Sequence, residues 1–185
     1  MPRLLLAVVA LLAALLAPDM SAGAEDLGTH DGRVLQALAL LDSTTATNNL
    51  HAVLDRNRVR IQFIPMAPGV YARYSVARHM VEIDQRWQEA DTTTLAAVIA
   101  HEATHAEDAV NGYLASGGEA ACIESEIRAF RTAAQFWIEV YGRPGKPLPE
   151  GDLDRQLNLV AERQLRDPQG LEDLVRQTYS SQCAH

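Results

Sequence analysis

Two histidines four residues apart, His101 and His105, sit inside a helix-forming run from Leu95 to Val110, and no other feature constrains the chain as much. Four residues of α-helix rise about 6 Å and return to nearly the same face, so the two rings project side by side and can grip one ion. Glu102 follows the first histidine and completes His101-Glu102-Ala103-Thr104-His105. In this spacing two imidazoles ligate zinc and the glutamate stands beside the remaining open position as a general base. The run also carries its own helix signals. Asp91 and Thr92 to Thr94 offer capping oxygens, Leu95, Val98 and Ile99 begin an apolar face, and Asn111-Gly112 supplies a left-handed stop. Alanines at 96, 97, 100, 103 and 106 let neighbouring elements pack close.

A catalytic zinc site takes three protein ligands, so a third donor is needed. Asp108 and Asn111 stand where an extended metzincin motif would have its glycine and its last histidine, which excludes that pattern. Histidine does not recur between His105 and His185, leaving a carboxylate from the helical stretch Glu119 to Phe130. With Ile123 at zero on a helical wheel, Glu126 falls at roughly −60°, Glu119 at roughly −40° and Glu124 at roughly +100°. Glu126 borders the apolar stripe, whereas in the first turn the helix dipole alone accounts for Glu119. The order is Glu126, then Glu124, then Glu119. Asp108 shares the face of His101 and is placed to accept an imidazole N–H. Tyr113, Tyr74 and His79 are unranked candidates for a transition-state donor, and the isolated His30 and His51 stay outside the site.

The rest of the chain supplies a frame. Met1-Pro2-Arg3 is basic, residues 4–17 are unbroken apolar sequence, and Ala22-Gly23-Ala24 has the form of a signal-peptidase site. The apolar run is shorter than the ~20 residues of a membrane span. Residues 1–24 therefore read as a signal peptide and 25–185 as one exported domain, secreted or periplasmic, with no stable membrane span after cleavage. Export makes a Cys122–Cys183 disulfide plausible chemistry. Sixteen basic and twenty-four acidic residues give a net charge of −8, which argues against nucleic acid as a partner. Two short helices are expected between Asp31 and Arg56. Strands are expected at Val59–Met66, Val70–Ser75 and Ala77–Asp84, where β-branched and aromatic residues predominate. Beyond the histidine helix, helices are expected at Glu119–Tyr141, Asp152–Leu165 and Leu171–Tyr179. The aromatics of the stripe Ile123, Ile127, Phe130, Ala134, Trp137 read as core.

With these residues in view, the chain resembles the gluzincin metallopeptidases, particularly their small minimal forms. The resemblance rests on His101-Glu102-Ala103-Thr104-His105 and on Glu126-Ile127-Arg128-Ala129-Phe130, which is similar to the family's Glu-x-x-Ala segment. It covers roughly Val70 to Phe136. It implies an α+β, zincin-like domain: a small antiparallel sheet, the active-site helix, then a mainly helical C-terminal half. It further implies one Zn²⁺ per chain held by His101, His105 and Glu126, with Glu102 as the general base. A strand before the helix would align a peptide or protein substrate, whose peptide bonds a zinc-activated water would hydrolyse. The family's Asp after the third-ligand glutamate has no obvious counterpart here. The alternative is an exported zinc-binding or scaffold protein that keeps the fold without turnover; Glu102 favours the enzyme, because a purely structural zinc site needs no base. N-terminal sequencing of exported protein is expected to find Glu25 first, and Met1 at that position would remove the argument for export.

Overall fold

The computed structural model of the protein describes residues 31–142 and 145–184, apart from the side chains of 115 and 116. The expected signal peptide and His30 lie outside the described residues. The chain is mixed α+β and mostly helical. In order it forms α1 (Gly32–Leu41), α2 (Leu50–Arg56), β1 (Arg60–Ile64), β2 (Ala72–Ser75), β3 (Met80–Asp84), a 3₁₀ turn (Gln85–Trp87), α3 (Thr92–Val110), the single turn α4 (Tyr113–Ser116), α5 (Gly118–Tyr141), α6 (Asp152–Arg166) and α7 (Pro168–Cys183). Among the described residues, no helix is long and apolar enough to cross a membrane.

The sheet corrects one expectation. Its strand order is β1-β3-β2, and only β2 and β3 are antiparallel. β1 pairs with β3 in parallel, from Arg60 opposite Met80 to Ile64 opposite Asp84. The reason lies in residues 65–71. This link is long enough to carry the chain past one strand position of about 4.8 Å before β2 begins, so the β2–β3 turn folds β3 into the slot left open. β3 takes the centre because all five of its residues are buried, whereas β1 is only partly covered. Its Glu82 is buried without an unpaired charge, since Arg73 and Arg78 reach it from one side of the sheet.

α3 is the axis of the domain. Asp91 caps it by accepting from the Thr93 and Thr94 N–H groups at 3.0 and 3.1 Å, and Gly112 ends it in the left-handed region at φ +73°. From Thr94 to Ala106 every residue is buried, so the helix has no solvent face along that length. α1, α2, β2, β3 and α5 all pack against it, and its alanines admit them closely. The capped end is clasped from outside: Lys146 Nζ lies 2.7 Å from both Asp91 Oδ2 and Asp154 Oδ2. These carboxylates hold the Lys146 ammonium well above its ordinary value, although burial opposes the charge.

α5 departs from the single stripe read in its sequence. Phe136 and Trp137 belong to the main core around α3. Ile123, Ile127 and Phe130 form a second core with Leu171, Val175, Tyr179 and Cys183 of α7. The helix is thus sandwiched between α3 and α7, with opposite faces buried against each. α7 begins earlier than expected because Asp167 caps Gly170 N at 2.9 Å and Pro168 suits a first helical position.

The expected Cys122–Cys183 disulfide is present and joins α5 to the end of α7, with Cα atoms 5.6 Å apart and a sequence separation of 61. A loop of that length implies about 4 kcal/mol of stabilisation through the unfolded chain. The Cys122→Ser/Cys183→Ser pair is expected to lose stability of that order in denaturant titration, with α7 the first element to lose amide protection.

Candidate metal centre

α3 presents His101 and His105 on one face, one turn apart, with their Nε2 atoms 3.2 Å from each other. Packing of α5 along α3 brings Glu126 onto the same point. Its Oε2 lies 3.5 Å from His101 Nε2 and its Oε1 3.5 Å from His105 Nε2. The three side chains are buried and could hold a metal ion. Glu126 Oε2 is buried with no hydrogen-bond partner, a costly state for a carboxylate oxygen unless a cation meets it. The competing glutamates go elsewhere: Glu124 pairs with Arg176 of α7, and Glu119 is exposed in the first turn of α5.

Electrostatics follow from this crowding. Burial alone would raise the Glu126 carboxyl, but His105 and His101 beside it outweigh that and hold it at about 2. His101 is lowered by burial and by the charge of His105, although Glu126 pulls the other way. His105 is raised, because Glu126 and then Glu102 outweigh its burial. Glu102 is only 1% exposed, and burial with the neighbouring Glu126 charge pushes it up to about 8, against the opposing pull of His105 and a backbone hydrogen bond from Tyr74.

That bond sets the relation of the centre to the sheet. Asp84 N donates to Tyr71 O at 2.8 Å, so in the antiparallel β2–β3 register Ala72 and Tyr74 turn their backbone groups away from β3. The edge of β2 that has no strand neighbour therefore runs beside Glu102, and the Tyr74 N–H on that edge donates to the Glu102 carboxylate. The side chains of Tyr74 and His79 are engaged otherwise. Tyr74 Oη and His79 Nδ1 are 2.7 Å apart, and His79 Nε2 is 2.7 Å from the Asn57 carbonyl. Tyr113 is exposed at the start of α4.

Asp108 does not touch an imidazole directly. Ser125 stands between: its Oγ is 2.8 Å from His105 Nδ1 and donates to Asp108 Oδ2 at 2.7 Å. Arg128 pairs with the other Asp108 oxygen. Phe130 packs its ring edge-on to His101 at 4.8 Å between centroids. Ser125 escaped the sequence reading because the wheel puts it roughly −160° from Ile123, where an exposed polar residue is expected. Its one sequence signal is adjacency to Glu126.

Comparison with protein-family models, curated proteins and solved structures gives no match. The reading of the centre therefore stands on the chain's own residues.

The sign of the Glu102 shift yields a test on metal-free protein. The carboxyl ionises at about 4.5 when unprotected and at about 8 in the fold. Its contribution to stability is therefore full below the lower value and is lost as pH rises through the higher one. Denaturant unfolding in chelator, from about pH 5 to about pH 9, is expected to show Glu102→Gln losing less stability than wild type, by a few kcal/mol, because glutamine cannot ionise. An identical pH slope in the two proteins would remove Glu102 as the source.

Proposed function

We propose that this protein is an exported zinc-dependent peptidase of gluzincin type with a zincin-like arrangement of sheet and helix. The observation that carries the reading is the spacing of the three donors. A tetrahedral zinc with bonds of about 2.0–2.1 Å has ligand atoms about 3.3–3.4 Å apart. His101 Nε2 and His105 Nε2 are 3.2 Å apart, each has a different Glu126 oxygen at 3.5 Å, and one ligand atom from each residue falls within 4.8 Å of the others. Two neutral imidazoles and one carboxylate also match the ligand set of thermolysin-like catalytic zinc, and the unpartnered Glu126 oxygen fits a cation.

When bound, zinc supplies a Lewis acid that polarises the scissile carbonyl and acidifies the attacking water. The chain's own groups do the rest. Glu102 accepts the proton of that water and returns it to the leaving nitrogen as the C–N bond breaks, leaving a carboxylic acid and an amine. The β2 edge beside Glu102 suits an extended peptide, which would add to the sheet through main-chain hydrogen bonds. The substrate class is therefore a peptide or an unstructured protein segment.

One observation favours a second reading. His101, His105, Glu102 and Glu126 are each at most 6% exposed, the burial of a closed zinc site in a binding or scaffold protein. The two readings part on turnover. Purified protein is expected to bind one zinc per chain, and Glu126→Gln to lose it while Glu124→Gln keeps it. Glu102→Gln is expected to retain zinc yet lose cleavage of a peptide library by at least about 10²- to 10⁴-fold. Zinc binding without cleavage by wild type would favour the scaffold; cleavage undiminished in Glu102→Gln would remove Glu102 as base.

A further inference from the structure

Ser125 and Glu126 are neighbours on α5 and engage opposite nitrogens of one ring. Consecutive helical residues project about 100° apart; here Glu126 reaches the Nε2 side of His105 while Ser125 reaches Nδ1. Ser125 in turn meets Asp108, one turn beyond His105 on α3, and Arg128, one turn beyond Ser125 on α5, closes the ring of contacts from outside. Arg128 also bonds Glu107 Oε2 at 3.1 Å, and Asn49 holds the other Glu107 oxygen at 2.8 Å. Ser125 and Asp108 are both buried. Neither the helix core nor a surface ion pair requires a buried hydroxyl and a buried carboxylate here, since apolar residues of similar size would pack without the cost of desolvation.

Proton bookkeeping gives the relay a direction. Asp108, ionised beside Arg128, can only accept, so the single hydroxyl proton of Ser125 goes to Asp108. Ser125 Oγ can then only accept from His105, which means that Nδ1 carries hydrogen. The other nitrogen, Nε2, is left as the ligand atom facing Glu126 and His101. A carboxylate or carbonyl on the far nitrogen commonly orients a metal-binding imidazole; here the hydroxyl is interposed and the carboxylate acts through it.

Resting on the metal-centre reading above, we propose that Ser125, held by Asp108 and Arg128, is the positioning residue that fixes His105 as an Nδ1–H tautomer with Nε2 turned to the ion. The relay sets affinity for the ion through ring orientation, without touching ion or substrate.

The test is zinc affinity by competition with a chromophoric chelator, using the folded full-length chain. Ser125→Ala is expected to weaken binding roughly 10- to 100-fold, and Ser125→Thr, which keeps the hydroxyl, to restore most of it. In a His105→Ala background Ser125→Ala is expected to have no further effect, because its influence passes through that ring. Unchanged affinity in Ser125→Ala, or an equal loss with and without His105, overturns the relay while leaving the metal centre standing. Wild type that binds no zinc removes both. Should the Ser125 variants fail to fold, imidazole ¹⁵N spectra of zinc-loaded wild type decide alone. Attachment of His105 through Nε2 with a slowly exchanging Nδ1–H is expected, and attachment through Nδ1, or a rapidly exchanging proton, overturns the assignment.

Discussion

The seam between α3 and α5 brings two imidazoles and a carboxylate within 3.5 Å of one another. Such an approach requires small side chains, and both helices supply them on the faces that carry the donors: Ala97 on α3, with Ala129 and Ala133 on α5, is buried with little exposure. Larger residues would hold the backbones apart, and helix pairs separate by an ångström or more as contact residues grow. Such a shift would part His101 and His105 from Glu126, the three groups that could hold a metal ion. The remaining architecture keeps that seam in register, with α1, α2 and the sheet closing α3 from other sides and α7 pressing α5 inward.

Burying so many ionisable groups is unfavourable unless each is answered. Glu82 is met by two arginines, Asp108 by Ser125 and Arg128, and Asp154 by Lys146 and Thr94. Glu126 differs in its neighbours: it faces two histidines, at 3.5 Å, and no arginine or lysine. One of its oxygens has no hydrogen-bond partner, and the histidines that draw its carboxyl down also oppose each other's charge. A buried carboxylate set between two imidazoles in this way could hold a metal ion. The same electrostatics make Glu102 a proton-retaining carboxyl, lying between the centre and the backbone of an edge strand.

The disulfide and the Lys146 clasp act at a distance from the chemistry but on its supports. Cys122 lies one helical turn before Glu126, so tying it to Cys183 restrains the stretch of α5 that carries both Glu126 and Ser125. Lys146 and Asp154 fasten Asp91, and with it the start of the helix that carries both histidines.

What the sequence by itself determined was local. The four-residue spacing of His101 and His105, the Asp91 cap, the Gly112 stop and the β-branched runs of the strands act through neighbours along the chain, and each of these features occupies its expected place. Glu126 could be ranked first but not separated from Glu124 and Glu119, since one wheel angle says which residues share a face and not which helix that face meets. Tertiary structure alone decided the rest. α5 is buried on two sides, which sends Ile123 to α7 while Ser125 and Glu126 turn to α3. β3 is inserted between β1 and β2, making the sheet mixed where an antiparallel one was expected. Both outcomes depend on contacts between segments far apart in sequence, and periodicity within a single segment carries no information about what will cover its second face.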